Sequence, residues 1–335
     1  MNPGKQIHAA LNTIDAGLKA IDQIDPSLLG IDAASVKYHR ETITRDHVGA
    51  LRKVASRLSV DVPSTHKIKF GWVAHDTPEQ LAHVIAIGGK RVRLSGWPGG
   101  AAEAYKNAVK TDLFVLPRVQ REQKDNKPGL EPLMDDAAIQ AECAKHAKDV
   151  SFYSANDIGR IEFGNEWDLA RYWNGPIDQV AATYGVHILP IYFDAGIEVT
   201  LALPLNPKNV APFLLNFQAT DTLRFVKRLS MHPYQGTGAA HIKRAKDIVA
   251  EAQTVMPSLT LDQIDVSEFG LQRGGNEADF MREIKIAFDW YVSMKYLGEL
   301  DGYRISVTER PESKRAPFKD GQKTATFDEW KALAA

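Results

Sequence analysis

From Lys67 onward, short apolar or β-branched runs alternate with amphipathic, helix-length runs eight times over roughly 265 residues. The strand-like runs are Ile68–Val73, Arg91–Ser95, Asp112–Leu116, a fourth opening at Ile161, Glu198–Leu203, Leu223–Ser230, Leu261–Ser267 and Gly302–Thr308. Strands joined through helices must run parallel. Eight such units with no Gly-rich phosphate turn predict an α/β chain closed into a (β/α)8 TIM barrel, whose typical length of about 250 residues fits. Local signals agree with the alternation. Thr77-Pro78-Glu79-Gln80 reads as a helix start with a capping box, and Gly88-Gly89 closes that helix rather than opening a nucleotide-binding one.

The first 65 residues have a different pattern. Ile7, Leu11, Ile14, Leu18 and Ile21 recur with spacings of 4, 3, 4 and 3, which places them on one helix face. Val48, Leu51, Ala55 and Leu58 form a second stripe. The expected organisation is therefore an N-terminal helical extension over 1–65, followed by the barrel over 66–335. The first stripe reads as a helix packed on the barrel, with self-association or tethering as the alternative.

A net charge of −1 gives no electrostatic argument for nucleic acid or an anionic membrane as partner. Cys143 is the only cysteine, so neither an internal disulfide nor a cysteine-based zinc site can form. No apolar run reaches transmembrane length, and no signal-peptide h-region follows Met1. The expectation is a cytoplasmic protein, or one that reaches the outside by a non-signal route such as a phage particle. His66, His75 and His83 show no metal spacing with a carboxylate, so neither metal nor cofactor is expected.

In this barrel, functional groups gather at the C-terminal ends of strands. Asn165-Glu166 follows the fourth strand, His232-Pro233-Tyr234 the sixth, and Glu268 the seventh, while Arg93 lies near the end of the second. Two carboxylates on separate strand tips can cleave a glycosidic bond, one protonating the leaving oxygen and the other staying ionised to attack the anomeric carbon. An arginine and a tyrosine hydroxyl beside the second would hold it ionised. Trp97, Trp167 and Phe269 stand just beyond strand tips, where their rings could stack on sugars, although Trp97 and Trp167 are equally explained as packing. Arg160 and Glu162 share strand parity and read as a buried ion pair.

These motifs resemble those of clan A glycoside hydrolases, retaining glycosidases with a (β/α)8 barrel. Glu162-Phe163-Gly164-Asn165-Glu166 is similar to the strand-four motif, Val92-Arg93-Leu94 to the strand-two arginine, His232-Pro233-Tyr234 to the His-x-Tyr after strand six, and Ser267-Glu268-Phe269-Gly270 to the strand-seven nucleophile motif. The resemblance covers about Lys67 to Glu309. It implies Glu166 as acid/base and Glu268 as nucleophile, with Asn165, Arg93, His232 and Tyr234 around an oligo- or polysaccharide; the endo-acting β-glycanase and exopolysaccharide hydrolase branches are the most similar, and an endo-acting enzyme is expected. Two departures stand out: Trp167 replaces the proline common after the acid/base, and the expected strand-eight tip, Val307-Thr308-Glu309-Arg310, lacks the tryptophan common there. A carbohydrate-binding barrel without turnover, such as a receptor-binding module, is the alternative.

Overall fold

A computed structural model describes residues 68–74, 77–94, 106–108, 110, 113–119, 135–170, 172–271, 277–302, 305–307 and 316–334. The N-terminal extension and Trp97 lie outside the described residues. The described chain contains a closed barrel of eight parallel strands in sequential order, each hydrogen-bonded to the next and β8 back to β1. These are β1 (Lys69–Ala74), β2 (Arg91–Leu94), β3 (Phe114–Val119), β4 (Arg160–Phe163), β5 (Glu198–Ala202), β6 (Val226–Met231), β7 (Ile264–Phe269) and β8 (Glu299–Gly302).

The helices between them are α1 (Pro78–Ala86), α2 (Asp136–Ala155), α3 (Leu189–Asp194), α4 (Val210–Ala219), α5 (Gly238–Val255) and α6 (Glu277–Ser293), and α7 (Phe327–Ala334) closes the chain. Side-chain caps set several starts: Thr77 accepts from Gln80 N at 3.3 Å, Asp135 from Ala138 N at 2.7 Å and Thr237 from Ala240 N at 3.2 Å. A π-helical turn, Ala181–Gly185, lies between β4 and α3. Among the described residues, no helix is long and apolar enough to cross a membrane.

Strand alternation divides each wall into two faces. The outward face carries the apolar core: Phe70 and Trp72, Val92 and Leu94, Ile161 and Phe163, Val199 and Leu201, Ile264 and Val266 are all buried. The inward face is charged. Arg91 pairs with Asp301 at 2.7 Å and also with Glu299. Arg160 pairs with Glu299 at 2.7 Å, reaches Asp265, and donates to Thr200 Oγ1 at 2.9 Å. Arg228 meets Asp265 at 2.7 Å. Arg160 and Glu162 are thus both buried and both ion-paired, but with partners on other strands rather than with each other.

Three arginines against three carboxylates leave this lower layer neutral, which is what allows it to be buried. Asp301 shows the cost of burial. Desolvation pushes its carboxyl up to about 6, although the Arg91 charge beside it pulls the other way. Gly71 of β1 keeps this layer closed, because a Cβ there would meet Asp301 and the Arg91 side chain.

The sixth and seventh strands start at Val226 and Ile264, behind 3-10 turns at Leu223–Phe225 and Leu261–Gln263 where strand was expected, and two other strands differ further. β8 is Glu299–Gly302, upstream of the predicted Gly302–Thr308. Ser306–Val307 instead pairs with Phe318–Lys319 in a separate three-stranded sheet with Gln322–Lys323. The expected strand begins only at Gly302 because the acidic Glu299 and Asp301 are poor strand formers. The arginines of β2 and β4 neutralise those acids inside the barrel. β3 runs to Val119, past Leu116, because Pro117 does not end it. Pro117 lies opposite Leu94 in the ladder, and the strand continues to Arg118.

Candidate active site

Above the neutral layer, the inward face carries a second cluster of charge, anchored by Arg93. This side chain is fully buried. Its Nε donates to Glu162, its Nη1 to Glu268, and its Nη2 to Asn165 Oδ1 at 3.1 Å. One guanidinium therefore ties the tip of β2 to the tips of β4 and β7, and each of the three nitrogens has an acceptor. Glu162 also accepts from Ser230 Oγ at 2.6 Å. Burial alone would raise its pKa, but Arg93 and His232, with the Ser230 and Ser267 hydroxyls, hold it below the usual range.

Glu268 reaches the cluster through an irregularity in β7. The register with β8 shifts between Val266 and Phe269. In a regular strand Ser267 and Glu268 would face opposite sides. Here Ser267 meets His232 Nε2 at 3.0 Å while Glu268 meets Arg93, so both face the barrel mouth. The Tyr234 hydroxyl donates to the second oxygen of Glu268. An isolated bridge between Gln235 and Leu271 continues the β6–β7 pairing beyond these two residues and fixes their relative position. Burial opposes ionisation of Glu268, but the charges of His232, Arg93 and Arg118, with the tyrosine bond, bring its pKa down to about 2.

Glu166 is placed by backbone conformation. Gly164 adopts φ +88°, where a Cβ would collide with the Trp167 indole, and Glu166 itself adopts φ +41°. A glutamate in the left-handed region costs about 1–3 kcal/mol, so the surroundings must hold it there. Leu169 N donates to Glu166 O at 2.9 Å and closes the turn. The Asp168 carboxylate accepts from Leu205 N and Asn206 N, both at 2.7 Å, and from Asn209 Nδ2 at 3.1 Å, pinning the turn to the loop after β5. The turn brings Glu166 Oε1 to 3.4 Å from His232 Nδ1. One oxygen of Glu166, one of Glu268 and one ring nitrogen of His232 lie within 4.8 Å of one another.

Six of the nine residues expected at the site therefore converge: Glu166, Glu268, Asn165, Arg93, His232 and Tyr234. Trp167 and Phe269 do not present a ring to the barrel mouth. Trp167 is 1% exposed and packs against Phe163, Trp173, Tyr184 and Phe213. Phe269 is fully buried against Phe70, His241, Phe288 and Tyr291. Both are wall residues, because each follows a site residue and points the opposite way. Two further residues join the site, Arg118 and Ser267. Arg118 extends from the tip of β3 opposite Glu162, with its guanidinium 5.9 Å from the Tyr172 ring. A cavity of about 490 Å³ is lined in part by Trp167, Asp168, Trp173 and Asn174.

Glu166, His232 and Glu268 are also a possible donor set for a cation. The electrostatics are against it. Both Glu268 oxygens already bond to Arg93 and Tyr234, and the Arg93 and Arg118 charges act on the same carboxylate.

No family model matches the chain, and no curated protein matches it. Solved structures do. A monomeric β-xylosidase from Caulobacter crescentus is similar with a TM-score of 0.59 at 11% identity, over 80% of this chain and 68% of that one. An endo-β-1,4-mannanase from Cellulomonas fimi gives a TM-score of 0.53 at 13% identity, over 80% and 70%. A GH128 exo-β-1,3-glucanase from Aureobasidium namibiae gives 0.52 at 14%, over 79% and 96%. These neighbours are clan A glycoside hydrolases with a (β/α)8 barrel, so the chain shares the fold read from its motifs. At such identities the likeness is one of fold, and no individual family is assigned.

Proposed function

We propose that this chain is a retaining β-glycoside hydrolase that cuts within a polysaccharide or exopolysaccharide, with Glu268 as nucleophile and Glu166 as acid/base. The observation that carries the reading is the pairing of two unlike carboxylates within 4.8 Å at the barrel mouth. Retaining glycosidases separate their carboxyl groups by about 5–5.5 Å, and inverting ones leave about 6.5–9.5 Å for a water. The environments differ. Arg93 and Tyr234 hold Glu268 ionised, whereas Glu166 Oε1 lies 3.4 Å from His232 Nδ1.

The reaction proceeds in two displacements. A Glu268 oxygen bonds to the anomeric carbon as the bond from that carbon to the leaving oxygen breaks, and the Glu166 proton passes to that oxygen. Glu166, now ionised, takes a proton from water. The water oxygen bonds to the anomeric carbon and Glu268 departs as carboxylate. Arg93 holds Asn165 by its amide oxygen, which leaves the amide N–H groups to donate to the sugar 2-hydroxyl.

The test is a screen of β-linked polysaccharides for released reducing ends, with Glu268→Ala beside the wild-type protein. The expected result is release by the wild type, none by the variant, and partial recovery of the variant with azide. A fall in viscosity that runs ahead of reducing-end release marks internal cleavage. Glycan binding without any release of reducing ends would instead support a non-catalytic carbohydrate-binding barrel.

A further inference from the structure

We infer that Glu162 is a positioning residue for the nucleophile: it holds the Arg93 guanidinium by Nε and offsets part of its charge, so that Glu268 keeps the negative charge that the anomeric centre needs. This rests on the reading of Glu268 as nucleophile.

An arginine beside a nucleophilic carboxylate has two opposite effects. It keeps the carboxylate ionised, and it draws off the negative charge with which that group meets a developing cation. In this barrel the arginine is shared. Arg93 gives Nε to Glu162, Nη1 to Glu268 and Nη2 to Asn165 Oδ1 at 3.1 Å. Arg93 and Glu162 are both fully buried, where charges act on one another more strongly than in water. With Glu162 and Glu268 both ionised, one guanidinium serves two carboxylates and the unit stays anionic. With Glu162 neutral, Arg93 and Glu268 would form a neutral pair. Arg118, opposite Glu162 in the β3–β4 ladder, adds further positive charge beside it.

Glu162 is itself fixed from two directions. Its Oε2 accepts from Arg93, and its Oε1 accepts from Ser230 Oγ at 2.6 Å. Two accepting oxygens are the pattern of an ionised carboxylate. Ser230 lies on β6, two residues before His232, so Glu162 joins β2 to β6 while its own strand leads on to Asn165 and Glu166. The guanidinium is thereby anchored at Nε, and its Nη1 and Nη2 edges are aimed at Glu268 and Asn165. Glu162 has no exposed surface, whereas Glu166 and Glu268 keep 4% and 6%. It therefore acts through Arg93 and not on the sugar.

The alternative role for Glu162 is that of a counter-ion for folding alone. Glu162→Gln separates the two, because its amide oxygen still accepts from Arg93 Nε while the charge is gone. The experiment measures kcat and KM of the wild type, Glu162→Gln and Glu162→Asp by reducing-end release from the β-linked polysaccharide that the wild type cleaves most readily. In Glu162→Gln, kcat should fall about 10–100-fold with KM within about twofold, the scale of one charge acting across roughly 6–10 Å at an effective dielectric of about 20. Glu162→Asp, which keeps the charge, should lie between the wild type and Glu162→Gln.

Full activity in Glu162→Gln overturns the inference, and so does a Glu162→Asp that is no more active than Glu162→Gln. If Glu162→Gln does not fold by circular dichroism, the wild type decides. In the ¹³C-labelled full chain, the Glu162 carboxyl carbon should keep its ionised shift from pH 5 to 8. A Glu162 that is protonated at pH 6 overturns the inference. Absence of cleavage by the wild type sinks the proposed function itself, whereas cleavage by the wild type with full activity in Glu162→Gln sinks only the role of Glu162.

Discussion

Arg93 and Glu268 are bonded across the barrel mouth, from the tip of β2 to the tip of β7, with the arginine fully buried and the carboxylate nearly so. The same guanidinium holds Glu162 and Asn165, so its removal leaves two buried acids without the arginine that both bond to. Arg93→Met should cost about 3–5 kcal/mol of stability, the usual penalty for breaking a buried pair from one side. Denaturant unfolding checks this. A loss below about 1 kcal/mol would mean that the cluster finds other counter-charges, a scale set by exposed pairs.

The pKa of Glu268 gives a pH dependence with a definite sign. Its folded value, about 2, lies below the ordinary 4.5, so the carboxylate stabilises the fold above pH 4.5 and loses that contribution as pH falls towards 2. The nucleophile thus stays ionised in the free protein throughout the weakly acidic range. In the range where the chain remains folded, kcat/KM should show no acid limb near pH 4.5. A limb with an apparent pKa of 4–5 that vanishes in no other variant would contradict the assignment.

Asp301 behaves in the opposite way. Its folded value is raised to about 6, so it favours the folded state when protonated, and that contribution is lost as pH rises from 3.8 to 6. Asp301→Asn removes this titration. The variant leaves Arg91 without this carboxylate, which sets a fixed cost, but its stability relative to wild type should shift in its favour by up to about 3 kcal/mol as pH rises from 4 to 7. Urea midpoints for the two proteins across that range give the difference directly.

Gly164→Ala should be severely destabilising. The new Cβ would meet the Trp167 indole, and alanine is strained at φ +88°. A loss of about 2–4 kcal/mol is expected from backbone strain and steric overlap together. Residual folded protein should also lose activity, because the turn that aims Glu166 begins at this glycine.

Asp168→Ala tests how that turn is held. Three donors from the loop after β5 lose their acceptor. The expected loss of stability is about 1–3 kcal/mol. The functional signature is more specific. Activity on aryl β-glycosides with poor leaving groups should fall further than on those with good ones, since only the former need the Glu166 proton. Equal losses on both would assign Asp168 a purely structural role.

Much of this was legible in the sequence for a physical reason: the barrel imposes alternation, and alternation marks strand tips. Asn165-Glu166, His232, Tyr234 and Glu268 were found because polar residues at strand ends break an apolar pattern. The failures have separate causes. Where charge is buried inside the barrel, the pattern inverts, so the expected eighth strand began at Gly302 although β8 is Glu299–Gly302. Ser267 was passed over because an isolated serine carries no signal until its neighbours on β4 and β6 are known. Trp167 and Phe269 looked like sugar platforms because position along a strand tip does not reveal which way a ring points, and the β7 irregularity that turns Glu268 inward is a property of pairing rather than of sequence.

The central claim is retention by a close carboxylate pair, and the anomeric configuration of the first-formed product tests it most directly. Proton NMR during cleavage of a β-linked substrate, recorded before mutarotation, should show the β-anomer appearing first. The α-anomer appearing first would mean that water attacks directly, and would contradict both the nucleophilic role of Glu268 and the two-step mechanism.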